Sequence, residues 1–249
     1  MPHEQVMSPA AQSDHAVRFE WGLEGLRSLG EQCAVLVVVD VLSFATAVDV
    51  TTAAGAHVLP LPYRDDRAGD AASAAGAVLA GDRGSGGYSL SPASLANAPT
   101  GTLIGLPSPN GATLCSEAAG LGAVVFTGCL RNAAAVAAAA GSAAHNGPVG
   151  VIAAGERRAD GSLRLAAEDL IGAGAIISAL PVPVSARSVE AGMAARAYEA
   201  SDDFAREVRE CVSGRELTDQ GYQRDVELAL AWNASSTAPR LHAGVFSHR

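Results

Sequence analysis

The side chains best suited to chemistry in this 249-residue chain are carboxylates, carboxamides and guanidiniums that follow apolar runs. Asp40 and Ser43 end or follow AVLVVVD (34–40), and Ser108, Asn110 and Gly111 follow LIGLP. Arg131 and Asn132 follow VVFTGC, Glu156 and Arg157 follow VGVIAAG, and Glu168 and Asp169 open the next apolar stretch. Carboxylate oxygens hold hard cations, and Arg with backbone N–H groups holds anions. The set therefore suits metal-assisted phosphate chemistry better than thiol or soft-metal chemistry. Each residue also has an ordinary structural use. Asp40 can cap a helix, Asn110-Gly111 can be a turn and Asn132 an N-cap. Glu168 and Asp169 can complement a helix dipole, and Arg131, Arg157 and Arg215 can be surface ion-pair partners. An acid that ends an all-apolar strand is costly to bury unless it is paired or metal-bound, which favours a functional use for Asp40.

Several chemistries are excluded. All 17 basic side chains are Arg. Without Lys there is no P-loop, no Schiff-base or pyridoxal lysine, and no serine β-lactamase or protein-kinase machinery. HExxH, GxSxG and a complete GxGxxG are also missing, and His57 and His145 read as loop or packing residues. A net charge of −9 without a basic run is unsuited to the phosphate backbone of nucleic acid, so nucleic acid is not an expected partner.

The elements that must position these residues are legible as repeated βα units: a short β-rich run, a Gly or polar turn, then an Ala-rich helical stretch. AVLVVVD is apolar throughout, as a strand covered on both faces should be, and the following helix should stop at Gly55. A strand is expected at 57–62 and a helix at 64–80. A long Gly/Ser/Pro loop is expected at 81–99, with further strand and helix pairs at 101–120 and 123–141. Residues 148–158 read as a strand with a charged exit, 166–180 as a helix, and 185–231 as mostly helical. The fold class is α/β, a three-layer α/β/α sandwich on a largely parallel or mixed sheet. It forms one domain over 16–249 behind a mobile tail over 1–15. Cysteines at 33, 115, 129 and 211 form no CxxC pair, which fits reduced thiols in the cytoplasm. No apolar run approaches the roughly 18 residues of a spanning helix, so no membrane is expected. Ala-rich helices can pack within the subunit or across the two-fold axis of a homodimer, and both arrangements stand at this stage.

Taken together, VVVDVLSFATAV (37–48), GDRG (81–84), LANAP (95–99), SPNGAT (108–113), TGCLRNAAAVA (127–137), AAGE with AAEDLIGAGAI (153–156, 166–176) and SGRELTDQGYQRDVELA (213–229) resemble the 2-phosphosulfolactate phosphatase family in order and rough spacing. The resemblance implies Mg²⁺-dependent hydrolysis of a small-molecule phosphoester, 2-phosphosulfolactate, to sulfolactate and phosphate, a step of coenzyme M biosynthesis. It implies catalytic roles for Asp40, Glu156 and Asn110, and a metal set of Asp40, Glu156, Glu168 and Asp169. Substrate binding would fall to Ser43, Arg83, Asn97, Gly111, Arg131, Asn132, Arg157 and Arg215. The chain departs from the family pattern at Ser43, where an Arg is usual, and reads Gly81-Asp82-Arg83 where Gly-Glu-Arg is usual. Ser43 also supports an alternative, a non-catalytic anion-binding homologue that has kept the fold.

Overall fold

A computed structural model describes residues 9–248. Its strands are β1 Val17–Trp21, β2 Val35–Val39, β3 His57–Leu61, β4 Val78–Leu79, β5 Leu103–Pro107, β6 Val124–Gly128, β7 Val149–Ala153, β8 Glu156–Arg157, β9 Leu163–Arg164, β10 Arg240–His242 and β11 Val245–Ser247. The helices are α1 Gly22–Gly30, α2 Phe44–Ala53, α3 Asp66–Ala74, α4 Pro92–Leu95, α5 Gly111–Ala119, α6 Ala133–Ala144, α7 Ala167–Ala179, α8 Val189–Glu199, α9 Phe204–Glu210, α10 Val212–Asp219 and α11 Gln223–Ala229. Nine strands form one mixed sheet in the order β1-β7-β2-β6-β10-β11-β3-β5-β4, and β8 and β9 form a separate hairpin.

β2 explains the three layers. It lies between β7 and β6, parallel to both, and all five of its residues are buried. Its side chains alternate: Val35, Val37 and Val39 join the core under α6, α7 and α8, whereas Leu36 and Val38 join the core under α1, α2 and α5. A strand buried on both faces needs no polar alternation, which is why its sequence is continuously apolar. Small residues let the helices approach closely. A Cβ on Gly172 of α7 would come within 2.5 Å of Val41, and one on Gly174 would collide with the carbonyl of Ala194 on α8.

One expectation is corrected, and two elements have no counterpart among those expected. The helix expected over 64–80 ends at Ala74; Gly76, with φ +66°, turns the chain, and Val78–Leu79 form β4 beside β5. β1 comes from Val17–Trp21, to which no element was assigned. Val17 and Phe19 face the core, and Gln12 accepts from and donates to the Phe19 backbone. Residues 9–15 of the expected tail thus lie against β1, while residues 1–8 fall outside the described residues. At the other end, β10 and β11 form an antiparallel hairpin wedged between β6 and β3. Three-residue strands are too short for period-two alternation to reveal. Among the described residues, no helix is long and apolar enough to cross a membrane.

The segment that leads into this hairpin is hydrogen-bonded to a carboxylate of α2 that also forms a buried ion pair. Asp49 accepts from Arg131 Nε at 2.8 Å, from Ser235 Oγ at 2.7 Å and from Thr237 Oγ1 at 2.5 Å. Arg131 Nη1 also donates to the Leu228 carbonyl at 3.1 Å. Farther along, Phe246 of β11 packs edge-on against Phe44, the first residue of α2, with centroids 6.4 Å apart. Removing one partner of a buried pair leaves an uncompensated charge. Arg131→Ala should therefore cost about 3–5 kcal/mol of stability, read from the urea midpoint, and a loss below about 1 kcal/mol would show the pair to be dispensable.

Candidate active site

The acids expected at the strand ends do meet beyond the carboxyl edge of β2, β5 and β7. Asp40, the residue after β2, is held by two helix N-termini at once. Its Oδ1 accepts from the N–H of Phe44 at the start of α2, at 3.1 Å, and its Oδ2 from the N–H of Gly111 at the start of α5, at 3.0 Å. The Leu42–Ser43 peptide between β2 and α2 is cis. Gly111 is required here by proximity: a Cβ would lie 2.7 Å from Asp40 Oδ2 and would run into the Phe44 ring.

Asp169 makes a parallel arrangement one layer away. From the first turn of α7, its Oδ1 accepts from Val41 N at 2.8 Å and its Oδ2 from Gly155 N at 2.9 Å, clipping the exits of β2 and β7 together. Gly155 has φ +64°, and a Cβ there would lie 2.8 Å from the Arg164 carbonyl, so the clip depends on glycine. The neighbouring Glu168, also buried, accepts the thiol of Cys211 at 3.2 Å. Glu156 opens β8 on the wall of a cleft and accepts from Asn110 Nδ2 at 3.1 Å. Asn110 precedes α5 without capping it through its side chain, which leaves its amide free for that contact. Arg164 of β9 donates to Ser213 Oγ on α10 at 3.0 Å, fastening the hairpin that carries Glu156.

Among the described residues, no Arg forms an ion pair with any of these four acids. Burial pushes the Asp40 carboxyl up to about 7; the Phe44 and Gly111 N–H groups oppose the rise, and the charges of Glu156 and Glu168 add to it. Burial, then the charges of Glu168 and Asp40, holds Asp169 well above the usual carboxylate range. Burial, then Glu168, pushes the Cys211 thiol up to about 12, so it stays protonated and is a donor to Glu168.

Arg83 is the guanidinium that reaches this edge. From the loop after β4, its Nη2 donates to Ser43 Oγ at 2.8 Å and to the Leu90 carbonyl at 3.1 Å. Its Nη1 lies 3.4 Å from Asp225 Oδ2, and the group sits over the Tyr222 ring at 5.1 Å. Asp225 is itself fixed by Ser91 Oγ at 2.6 Å and Ala93 N at 3.1 Å. Ser43 and Arg83, both expected to bind substrate, are thus brought together.

Other expected residues lie elsewhere. Arg131 is engaged by Asp49 and Leu228, a structural use that removes it from the cleft wall. Asn132 accepts from Cys129 N at 2.9 Å ahead of α6, while its Nδ2 is buried without a partner among the described residues. Asn97 is exposed in the turn between α4 and β5, near the amino ends of β3 and β5 and so at the opposite edge from Asp40. Arg157 and Arg215 are exposed and do not line the cleft. Two residues near this edge had no assignment from the sequence. Cys211 had no motif around it. Arg64 follows β3 and lines the cleft of about 570 Å³ together with Arg83, Leu90, Pro107 and Glu156. The strand-exit rule would have found Arg64, but the helix drawn from residue 64 absorbed it.

Two outcomes follow from this packing. Gly111→Ala should lower stability by about 1–3 kcal/mol, measured by urea denaturation, since neither the Phe44 ring nor the Asp40 carboxylate has room to retreat; an unchanged midpoint would refute the close approach. Asp40 has an ordinary value of 3.8 and a folded value of about 7. Between those values the folded state binds the extra proton, so stability of the metal-free protein should fall as pH rises from about 4 to about 7. Asp40→Asn should flatten that slope, and an identical slope in the variant would remove Asp40 as its source.

No curated protein sequence matches the chain significantly. A family model described as 2-phosphosulpholactate phosphatase matches residues 25–244, which span β2, β5 and β7 and every acid of the cluster. The chain therefore belongs to the 2-phosphosulpholactate phosphatase family, a family of phosphoric monoester hydrolases.

Proposed function

We propose that the protein hydrolyses a small, multiply anionic phosphomonoester with the help of Mg²⁺, and that 2-phosphosulfolactate is the substrate to test first. The observation that carries this reading is the position of Asp40. It is a buried carboxylate beyond the carboxyl end of a central strand, between two helix N-termini and beside a cleft walled by Glu156 and Arg83. Such crevices are where ligands of open α/β sheets bind.

Among the described residues, no three His, Cys, Asp or Glu side chains form a ready metal cage. Mg²⁺ rarely uses one; it is commonly held by one or two carboxylates, with water and substrate phosphate completing the octahedron. Asp40 and Glu168 meet that requirement: both are buried oxygen donors without a cationic partner among the described residues, and their charges act on one another. When bound, the ion would neutralise phosphate charge and polarise the phosphoryl group. Asp169 accepts from Val41 N and Gly155 N and so also fixes the exits of β2 and β7 beside these two acids.

The rest of the chemistry falls to the protein. Glu156 uses Oε1 for Asn110, and this contact orients its other oxygen, Oε2, to accept the proton of the attacking water. Arg83 is held at Ser43, Leu90, Asp225 and Tyr222, so it can stabilise charge on the phosphoryl oxygens without first being ordered. Phosphate release from 2-phosphosulfolactate should require a divalent cation. It should fall about 100-fold or more in Asp40→Asn and in Glu156→Gln, with circular dichroism unchanged. Tight substrate binding by the unmodified protein without release, with and without Mg²⁺, would favour the non-catalytic alternative.

A further inference from the structure

The two Arg side chains of the cleft differ in one respect that bears on selectivity. Arg83 is immobilised by four groups, and the carboxylate of Asp225 offsets its charge. Arg64, in the turn after β3, is exposed and makes no hydrogen bond or ion pair among the described residues. Its neighbourhood makes this informative. Arg67 chelates Asp65 at 2.8 and 2.7 Å and lies over the Tyr63 ring at 4.7 Å, so the nearest carboxylate in sequence is already taken. Asp82 and Glu216 line the same cleft without coming within ion-pair distance of Arg64. Arg64 and Arg83 are near enough for the charge of Arg64 to weaken proton binding at Arg83.

The cleft they share is about 570 Å³, within the range of small-molecule sites, with Glu156 and Pro107 on its inner wall. A phosphate placed between Glu156 and Arg83 leaves the cation of Arg64 facing whatever the phosphate is attached to. We infer that Arg64 is the specificity-determining residue for the non-phosphate end of the substrate, and that it selects phosphoesters carrying a second acid group, carboxylate or sulfonate, over neutral alkyl or aryl esters. Charge-assisted contacts to Arg are the strong ones, so a single guanidinium suffices for such selection. This inference rests on the phosphatase reading above and adds the residue responsible for selectivity.

The test compares Arg64→Ala and Arg64→Lys with the unmodified protein on two probes, 2-phosphoglycolate, which carries a carboxylate, and p-nitrophenyl phosphate, which has no second acid. Arg64→Ala should raise KM for 2-phosphoglycolate about 10- to 100-fold while kcat stays within about twofold, and p-nitrophenyl phosphate should be unaffected. Arg64→Lys should recover part of the loss. An equal loss on both probes, or no loss on either, overturns the inference. Titration calorimetry separates its failure from failure of the phosphatase reading. If neither probe is turned over by the unmodified protein, the hydrolase proposal falls only when 2-phosphosulfolactate also yields no phosphate. Arg64 is then judged by binding alone: 2-phosphoglycolate must bind more tightly than methyl phosphate, and Arg64→Ala must abolish the difference. Equal binding of the two ligands overturns the inference.

Discussion

Everything at the carboxyl edge of the sheet is arranged around one interaction, the Asp40 carboxylate accepting the first N–H groups of two helices. Phe44 N belongs to α2 and Gly111 N to α5, so a single side chain fixes where both helices begin relative to β2. Helix N-termini carry unpaired donors and the positive end of the macrodipole, and a buried carboxylate is well matched to both. The same contact explains the glycine at position 111, because any side chain there would occupy space held by Asp40 and Phe44. Phe246 of the C-terminal hairpin packs edge-on against the same Phe44 ring.

Backbone donors are not enough to offset the negative charge collected there. Asp40, Asp169, Glu168 and Glu156 crowd one end of the sheet, and among the described residues the partners found for them are N–H groups, an amide and a thiol. The consequence is visible in the carboxyls of Asp40 and Asp169, both shifted upward chiefly by burial. Such a cluster takes up protons or a cation. The Arg side chains are kept apart from it: Arg131 is turned to Asp49 on the side of α2, and Arg83 is held at Asp225. This separation gives the edge an acidic floor and a basic rim.

Ser43 takes its meaning from the same rim. Read alone, it is a lost positive charge. In the structure its hydroxyl receives Arg83, which arrives from a loop forty residues farther along the chain, so a guanidinium stands next to the position that lacks one. With no Lys in the chain, such placement depends entirely on long-range packing of Arg.

The layered α/β architecture and the strand ends at which polar residues gather are legible in the sequence. Both follow from local patterns: continuous apolar runs such as Val35–Val39 and turns such as that at Gly55. Local patterns did not reveal β1, β4 or the β10–β11 hairpin, because strands this short acquire their identity from the neighbours they pair with. Nor could they sort the candidate site. Asp40 and Asp169 are both acids beside apolar runs, and Arg64, Arg83 and Arg131 are chemically identical. What each one does depends on which distant group lies within about 3 Å in the folded chain. Tertiary structure made those choices, placing Asn110 on Glu156, Cys211 on Glu168 and Asp49 on Arg131, while leaving Arg64 facing the cleft.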